Sequence, residues 1–371
     1  MTTFRFTSLG ARLLAGAAIV LAVPPSAAAA KPTIIRGSPT PTITTYATGF
    51  NNPRGLKFGP DGMLYVAEGG VGGTGSTEGE CTQVIPPIGP YTGSPTGSRI
   101  SRVENGVRVT FNDKFASSQT SALTGNLVSG VADIAWVGGT MYAVTAGGGC
   151  SHGVLGHPNG VYRVNGNNTP ELVANLSAYY QSHPVANPEE DDFEPDGTAY
   201  SMIASGGSLY VVEPNHGELD RVSTSGSISR VADISATQGH IVPTAIAQRG
   251  AFYIGNLNTF PIVPGSSKIL RVTLGGQVQT VATGLTTVVG VAFDSRARMY
   301  VLENTVTAGE PAGGEGEIVR FTGTRRETLV TGLTLPTAMT FGPDGALYVS
   351  NVGFGPPPIG LGEVLRIRID D

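Results

Sequence analysis

Apolar and other residues alternate in short bursts along most of the chain, and each burst ends in Gly, Pro, Asp or Asn. Period-two alternation of this length predicts β-strands with two unequal faces, joined by tight turns. One unit recurs: a Gly/Pro-rich entry, an apolar strand, a turn such as GPDG, and a second strand carrying Leu-Tyr-Val or a variant. It reads NPRGLKFGPDGMLYVAE at 52–68 and LPTAMTFGPDGALYVSN at 335–351. The second-strand tyrosines Tyr65, Tyr142, Tyr210, Tyr253, Tyr300 and Tyr348 give six copies.

A third strand follows each tyrosine and ends in Arg plus an apolar residue: Arg102-Val103, Arg163-Val164, Arg221-Val222, Arg271-Val272, Arg320-Phe321 and Arg366-Ile367. A fourth is clearest as QTVATGL at 279–285 and ETLVTGL at 327–333. Four antiparallel strands repeated six times predict an all-β, six-bladed β-propeller. The last copy stops after GEVLRI at 362–367, and TTYATGF at 44–50 matches the missing fourth strand. The N-terminal strand is therefore expected to complete the last blade, so that no strand edge is left open.

Composition agrees with many short strands: 53 glycines, 26 prolines, and 14% charged residues against a usual ~25%. Residues 1–30 read as a cleaved signal peptide, with Arg5 and Arg12, an apolar run Leu13 to Val23, and small residues Ala27 to Ala30. Residues 31–371 are then a single propeller domain, secreted or periplasmic. The apolar run is about half of the ~20 residues that a membrane span needs. Removing two arginines and no acid takes the net charge from −5 to −7, which argues against nucleic acid as a partner. Cys81 and Cys150 are the two cysteines; in an oxidising compartment they read as one disulfide, the alternative being two unpaired thiols.

Successive tyrosines lie 77, 68, 43, 47 and 48 residues apart, so the copies carry insertions. The long segments follow the second strand (69–98, 146–159, 257–266, 304–315, 352–361) or precede the first (177–198). In an up-and-down blade both connections emerge on one face, and loops on one face of a rigid scaffold are where ligands bind. At the ends of the second strands stand Glu68, Glu213, Asn256, Glu303 and Asn351, with Thr145 as the sixth; beside them the first strands begin with Arg54, Asp133, Tyr200, Thr244 and Thr337. Two readings are open. The first set is a collar of oxygens that would suit Ca²⁺ or another divalent cation, with the second set contacting a ligand; or these polar strand ends cap backbone groups.

Further features also divide. PEEDDFEPD at 188–196 reads as a solvated charge run or a Ca²⁺-ordered loop. Cys150, His152 and His157 are close in sequence but lack the second half of a zinc ligand set, and Gly149 to Gly153 fits G-x-S-x-G without a following helix. The six third-strand arginines, present in every copy, read as structural.

Three segments together resemble the ScyD/ScyE family of secreted propellers: NNPRGLKFGPDGMLYVAEGG (51–70), VPTAIAQRGAFYIGNLNTFPIVPGSSKILRV (242–272), and LTLPTAMTFGPDGALYVSN with GEVLRI near the end. The hairpin motifs are shared with NHL and gluconolactonase-type propellers. The resemblance implies an exported six-bladed propeller. Gluconolactonase-type propellers hold a divalent metal on the axis with a Glu, Asn and Asp set, which Glu68, Asn256, Asn351 and Asp133 match in residue type, although the flanking sequence departs from that family. Two functions are in view: binding a small molecule or envelope protein at the loop-rich face around the channel, or metal-dependent hydrolase, lactonase or lyase chemistry at its mouth.

Overall fold

A computed structural model of the chain describes residues 33–34, 41–354 and 360–369; the expected signal peptide lies outside them. Six antiparallel sheets form six blades. Blade 1 is Pro53–Phe58, Leu64–Glu68, Thr92–Glu104 and Val107–Gln119, with a fifth short strand, Val128–Ser129. Blade 2 runs Val131–Val137, Thr140–Thr145, Gly160–Val164 and Glu171–Asn175; blade 3 runs Ser201–Ser205, Ser208–Glu213, Glu218–Ser223 and Ile228–Asp233. Blade 4 is Pro243–Gln248, Phe252–Asn256, Ser267–Val272 and Val278–Leu285; blade 5 is Val288–Phe293, Met299–Glu303, Gly316–Thr322 and Arg325–Leu333, with Thr33–Ile34 on its outer edge. Blade 6 takes Ala338–Phe341, Leu347–Asn351 and Gly362–Arg368 from the C-terminal end and Thr42–Phe50 from the N-terminal end, with Thr45 opposite Leu365.

The repeated residues are cross-strand partners. Tyr65 faces Arg102, Tyr142 Arg163, Tyr210 Arg221, Tyr253 Arg271, Tyr300 Arg320, and Tyr348 Arg366. A tyrosine and an arginine directly opposite pack along the pleat, which explains why every copy keeps both. In blades 1, 5 and 6 the tyrosine hydroxyl also donates to the turn aspartate, Asp61 at 2.8 Å, Asp294 at 3.3 Å and Asp344 at 3.2 Å. The GPDG turn is thus tied to the strand that follows it.

Among the described residues the core divides into six apolar clusters, one for each interface between neighbouring blades. Burying one face of each sheet against the next makes the ring self-supporting. The insertions meet one another on one face. Cys81 and Cys150 form a disulfide with Cα atoms 6.3 Å apart, the Tyr91 hydroxyl donates to Glu194 at 2.9 Å, and Ile262 bridges to Gly309. No helix among the described residues is long and apolar enough to cross a membrane.

Candidate functional site in the axial channel

The first strands of all six blades line a central chamber of about 270 Å³. Toward the face of the short turns its wall is half-exposed, at Lys57, Ile203, Phe293 and Phe341; toward the loop-rich face Val131, Thr244, Val288 and Thr337 are buried. The loop-side end is bridged by Tyr200. Its hydroxyl donates to the carbonyl of Thr337 at 2.9 Å, reaching from blade 3 to the opposite blade 6, and the Arg54 guanidinium hydrogen-bonds the same phenol. Burial, only partly offset by Arg54, pushes the Tyr200 phenol up to about 12, so it is a neutral donor at pH 7.

One ion pair interrupts the chamber wall. Lys57 Nζ donates to Asp133 Oδ1 at 2.5 Å and to the Met202 carbonyl at 2.9 Å. Asp133 also accepts from the Met202 and Ile134 N–H groups, each at 2.8 Å. The lysine side chain is 26% exposed and the aspartate 7%. Gly55 makes room for this pair, because a Cβ there would stand 2.1 Å from Asp133 Oδ1. Across the chamber most side chains are apolar, Ala245, Ala247, Val291, Phe293, Met339 and Phe341, with Thr340 among them.

Lys57 was not among the expected site residues, yet the sequence carries its signal. Each first strand has a residue opposite the repeated tyrosine, and in chain order these are Lys57, Ala135, Ile203, Ala247, Ala292 and Thr340. One copy alone places a charge there.

The expected site residues separate into groups. Asp133 and Tyr200 line the chamber, and Arg54 stands behind Tyr200. Thr244 and Thr337 clasp neighbouring blades, donating to the carbonyls of Val288 and Pro53. The second-strand ends lie inside their own blades, fully or almost fully buried. Glu68 accepts from the Asn51 N–H at 2.6 Å and pairs with Arg99 at 2.7 Å. Glu213 accepts from the Thr198 N–H at 2.7 Å and from the His216 N–H. Glu303 accepts from the Thr286 N–H and from Arg326. Asn256 bonds the Ile241 carbonyl and the Lys268 N–H, and Asn351 bonds the Thr334 N–H and Glu363.

These donors do not fit a cation on the axis. Every named side chain is already hydrogen-bonded within its blade or across to another, and Asp133 is taken by Lys57. Among the described residues no three His, Cys, Asp or Glu side chains converge on a metal-sized point.

The acidic segment corrects one expectation. Glu194 and Asp196 are buried rather than solvated. Glu194 lies 3.1 Å from His152 Nε2, and Asp196 accepts from both the N–H and hydroxyl of Ser151 at 2.7 Å. Burial lowers the His152 pKa, but the hydrogen bond and charge of Glu194, with Asp196 and the Gly197 carbonyl, outweigh it and raise the imidazole overall. Ser118, His152 and Glu194 stand in the order of a nucleophile relay, with Ser118 Oγ 3.1 Å from Nδ1. Ser118 and His152 are fully buried, and the trio ties the fourth strand of blade 1 to the inserted loops. The His157 side chain is exposed, its carbonyl accepts from the Gly149 N–H at 2.8 Å, and Cys150 is spent in the disulfide.

No family model matches the chain, and no curated protein matches it. Solved structures share its fold. A gluconolactonase from Xanthomonas campestris is 11% identical over 91% of this chain and 95% of its own, with a TM-score of 0.54. A proposed oxidoreductase (glucose dehydrogenase) from Thermus thermophilus is 18% identical over 88% and 100%, with 0.53. A glucose dehydrogenase is 13% identical over 89% and 100%, with 0.51. At these identities the likeness is one of fold.

Proposed function

We propose that the chain is an exported propeller of the ScyD/ScyE kind that binds a compact, neutral, largely apolar molecule bearing one carbonyl-type acceptor in its axial chamber, entering from the short-turn face. The observation that carries this reading is the single ion pair Lys57–Asp133 in a chamber whose other side chains are mainly Ala, Val, Ile, Met and Phe, with Tyr200, Ser201 and Thr340 as further polar groups. An ammonium has three donors, and two of those of Lys57 are spent on Asp133 and Met202. The third is free for a ligand oxygen. Because Asp133 already neutralises the lysine, the pocket favours a dipole over an anion. A chamber of this size sits at the lower end of the ~300–1,000 Å³ typical of ligand pockets. Export is supported by the residue pattern of 1–30 and by the disulfide.

The test is calorimetric titration with acetophenone and with ethylbenzene, which keeps the shape and lacks the acceptor. Acetophenone should bind more tightly, and Ala247→Trp, which fills the chamber, should abolish binding. Equal affinity for the two probes, or binding that survives Ala247→Trp, would overturn the reading. Turnover of a small lactone that is lost in Lys57→Met would favour the hydrolase alternative instead.

A further inference from the structure

Three other arginines of the molecule meet a buried glutamate: Arg99 meets Glu68, Arg230 meets Glu218, and Arg326 meets Glu303. Arg54 does not. Its Nη2 donates to the Val128 carbonyl at 2.5 Å, it hydrogen-bonds the Tyr200 phenol, and its guanidinium carbon lies 5.8 Å from the centre of the Phe354 ring. Among the described residues no carboxylate is paired with it. The nearby acid, Asp133, belongs to Lys57. The channel therefore carries two cations, Lys57 toward the short-turn end and Arg54 at the loop-side end, and one carboxylate that belongs to Lys57, in a chain whose formal charge is −5.

We propose that Arg54, Phe354 and Tyr200 form an anion seat on the loop-rich face, separate from the chamber, which takes a small monocarboxylate with a flat apolar body. The guanidinium has five N–H donors, and its bonds to Val128 and Tyr200 leave three of them. Its planar fork matches a carboxylate in two parallel bonds, and the Phe354 ring offers a face for an apolar body beside it. Burial already pushes the Arg54 guanidinium down; a bound anion would offset that desolvation, as the hydrogen bond and charge of Glu218 do for Arg230. Tyr200 separates the two sites, with its ring on the chamber and its hydroxyl under Arg54.

The probe is benzoate, compared with benzamide and inorganic phosphate, by calorimetric titration of the full chain. A charge-assisted pair predicts benzoate over benzamide by about tenfold or more, with phosphate weaker because it lacks the flat apolar body. Arg54→Gln should remove that preference, and Phe354→Ala should weaken benzoate while leaving phosphate unchanged. Ala247→Trp should leave benzoate binding intact, which separates this seat from the chamber: failure of acetophenone binding alone would leave the seat standing. Equal affinity for benzoate and benzamide in the native chain would overturn the proposal. So would full benzoate affinity in Arg54→Gln, or loss of benzoate in Ala247→Trp. If Arg54→Gln does not fold, the native-chain comparison and Phe354→Ala decide the matter.

Discussion

Replacing both cysteines, Cys81→Ser with Cys150→Ser, removes a crosslink that spans 69 residues of sequence. In the chain-entropy description, freeing a loop of that length restores about 15 cal/mol/K to the unfolded chain, or about 4 kcal/mol at 25 °C. Unfolding entropy runs at about 2.1 cal/mol/K per residue, so roughly 330 ordered residues give about 0.7 kcal/mol/K, and the melting temperature should fall by about 6 °C. The fold should survive, because the bond joins two insertions and leaves every blade interface untouched. Local consequences are expected in the loops it gathers, where Tyr91, Ser151 and His152 meet Glu194 and Asp196. The assay is equilibrium unfolding followed by the fluorescence of Trp136, the single tryptophan, which lies on the first strand of blade 2 with its ring 5.3 Å from that of Tyr65. A loss below about 1 kcal/mol would refute the reasoning, since it would mean that the unfolded chain keeps the two loops together without the bond.

Stability should fall as pH rises from 4.5 to 8. Burial pushes the Glu218 carboxyl up to about 7, with Arg230 opposing, and Glu303 up to about 8, with the Thr286 N–H opposing. A carboxyl raised in the fold binds its proton there more readily than in the unfolded chain, so its contribution is complete below 4.5 and is lost toward 7 or 8. At about 1.4 kcal/mol per unit this is on the order of 3 kcal/mol for Glu218. Asp220 beside it is pushed well above its ordinary value by burial and then by Glu218, with Arg230 and the Tyr180 phenol opposing. Chemical denaturation at pH 5 and pH 8 checks the sign, and greater stability at pH 8 would contradict it. Gly55→Ala should displace Asp133 from Lys57 and destabilise the chain by about 1–3 kcal/mol through overpacking; the same substitution at Gly62, where no atom lies within 4 Å of an added Cβ but φ is +78°, should cost only backbone strain of about 1 kcal/mol. Thermal melts of the two variants decide between them.

The blades were legible because their signals are local. Alternation, the turn aspartates and the paired Tyr and Arg positions lie within about fifty residues of one another in most copies, and antiparallel pairing turns that spacing directly into contact. Ring closure was legible too, because a strand missing at one end matched a spare one at the other. The site was harder to read. A polar residue at a strand end announces that something is bonded there, but not whether it turns to its own blade or to the axis; Glu68 and Asn351 turn inward to their blades. Tyr200 meets Thr337 across 137 residues, and Tyr91 meets Glu194 across 103. Such contacts depend on how the ring brings distant blades together, which no local pattern encodes. Lys57 was visible only by comparing the six residues that face the repeated tyrosines.

Methyl-resolved NMR of the native chain titrated with acetophenone addresses the account at its centre. Shifts should concentrate at Met339, Val291, Ile203 and Ala247 on the chamber wall and should disappear in Ala247→Trp. Shifts confined to Leu155 and Val263 on the loop-rich face, with the chamber methyls unmoved, would contradict it.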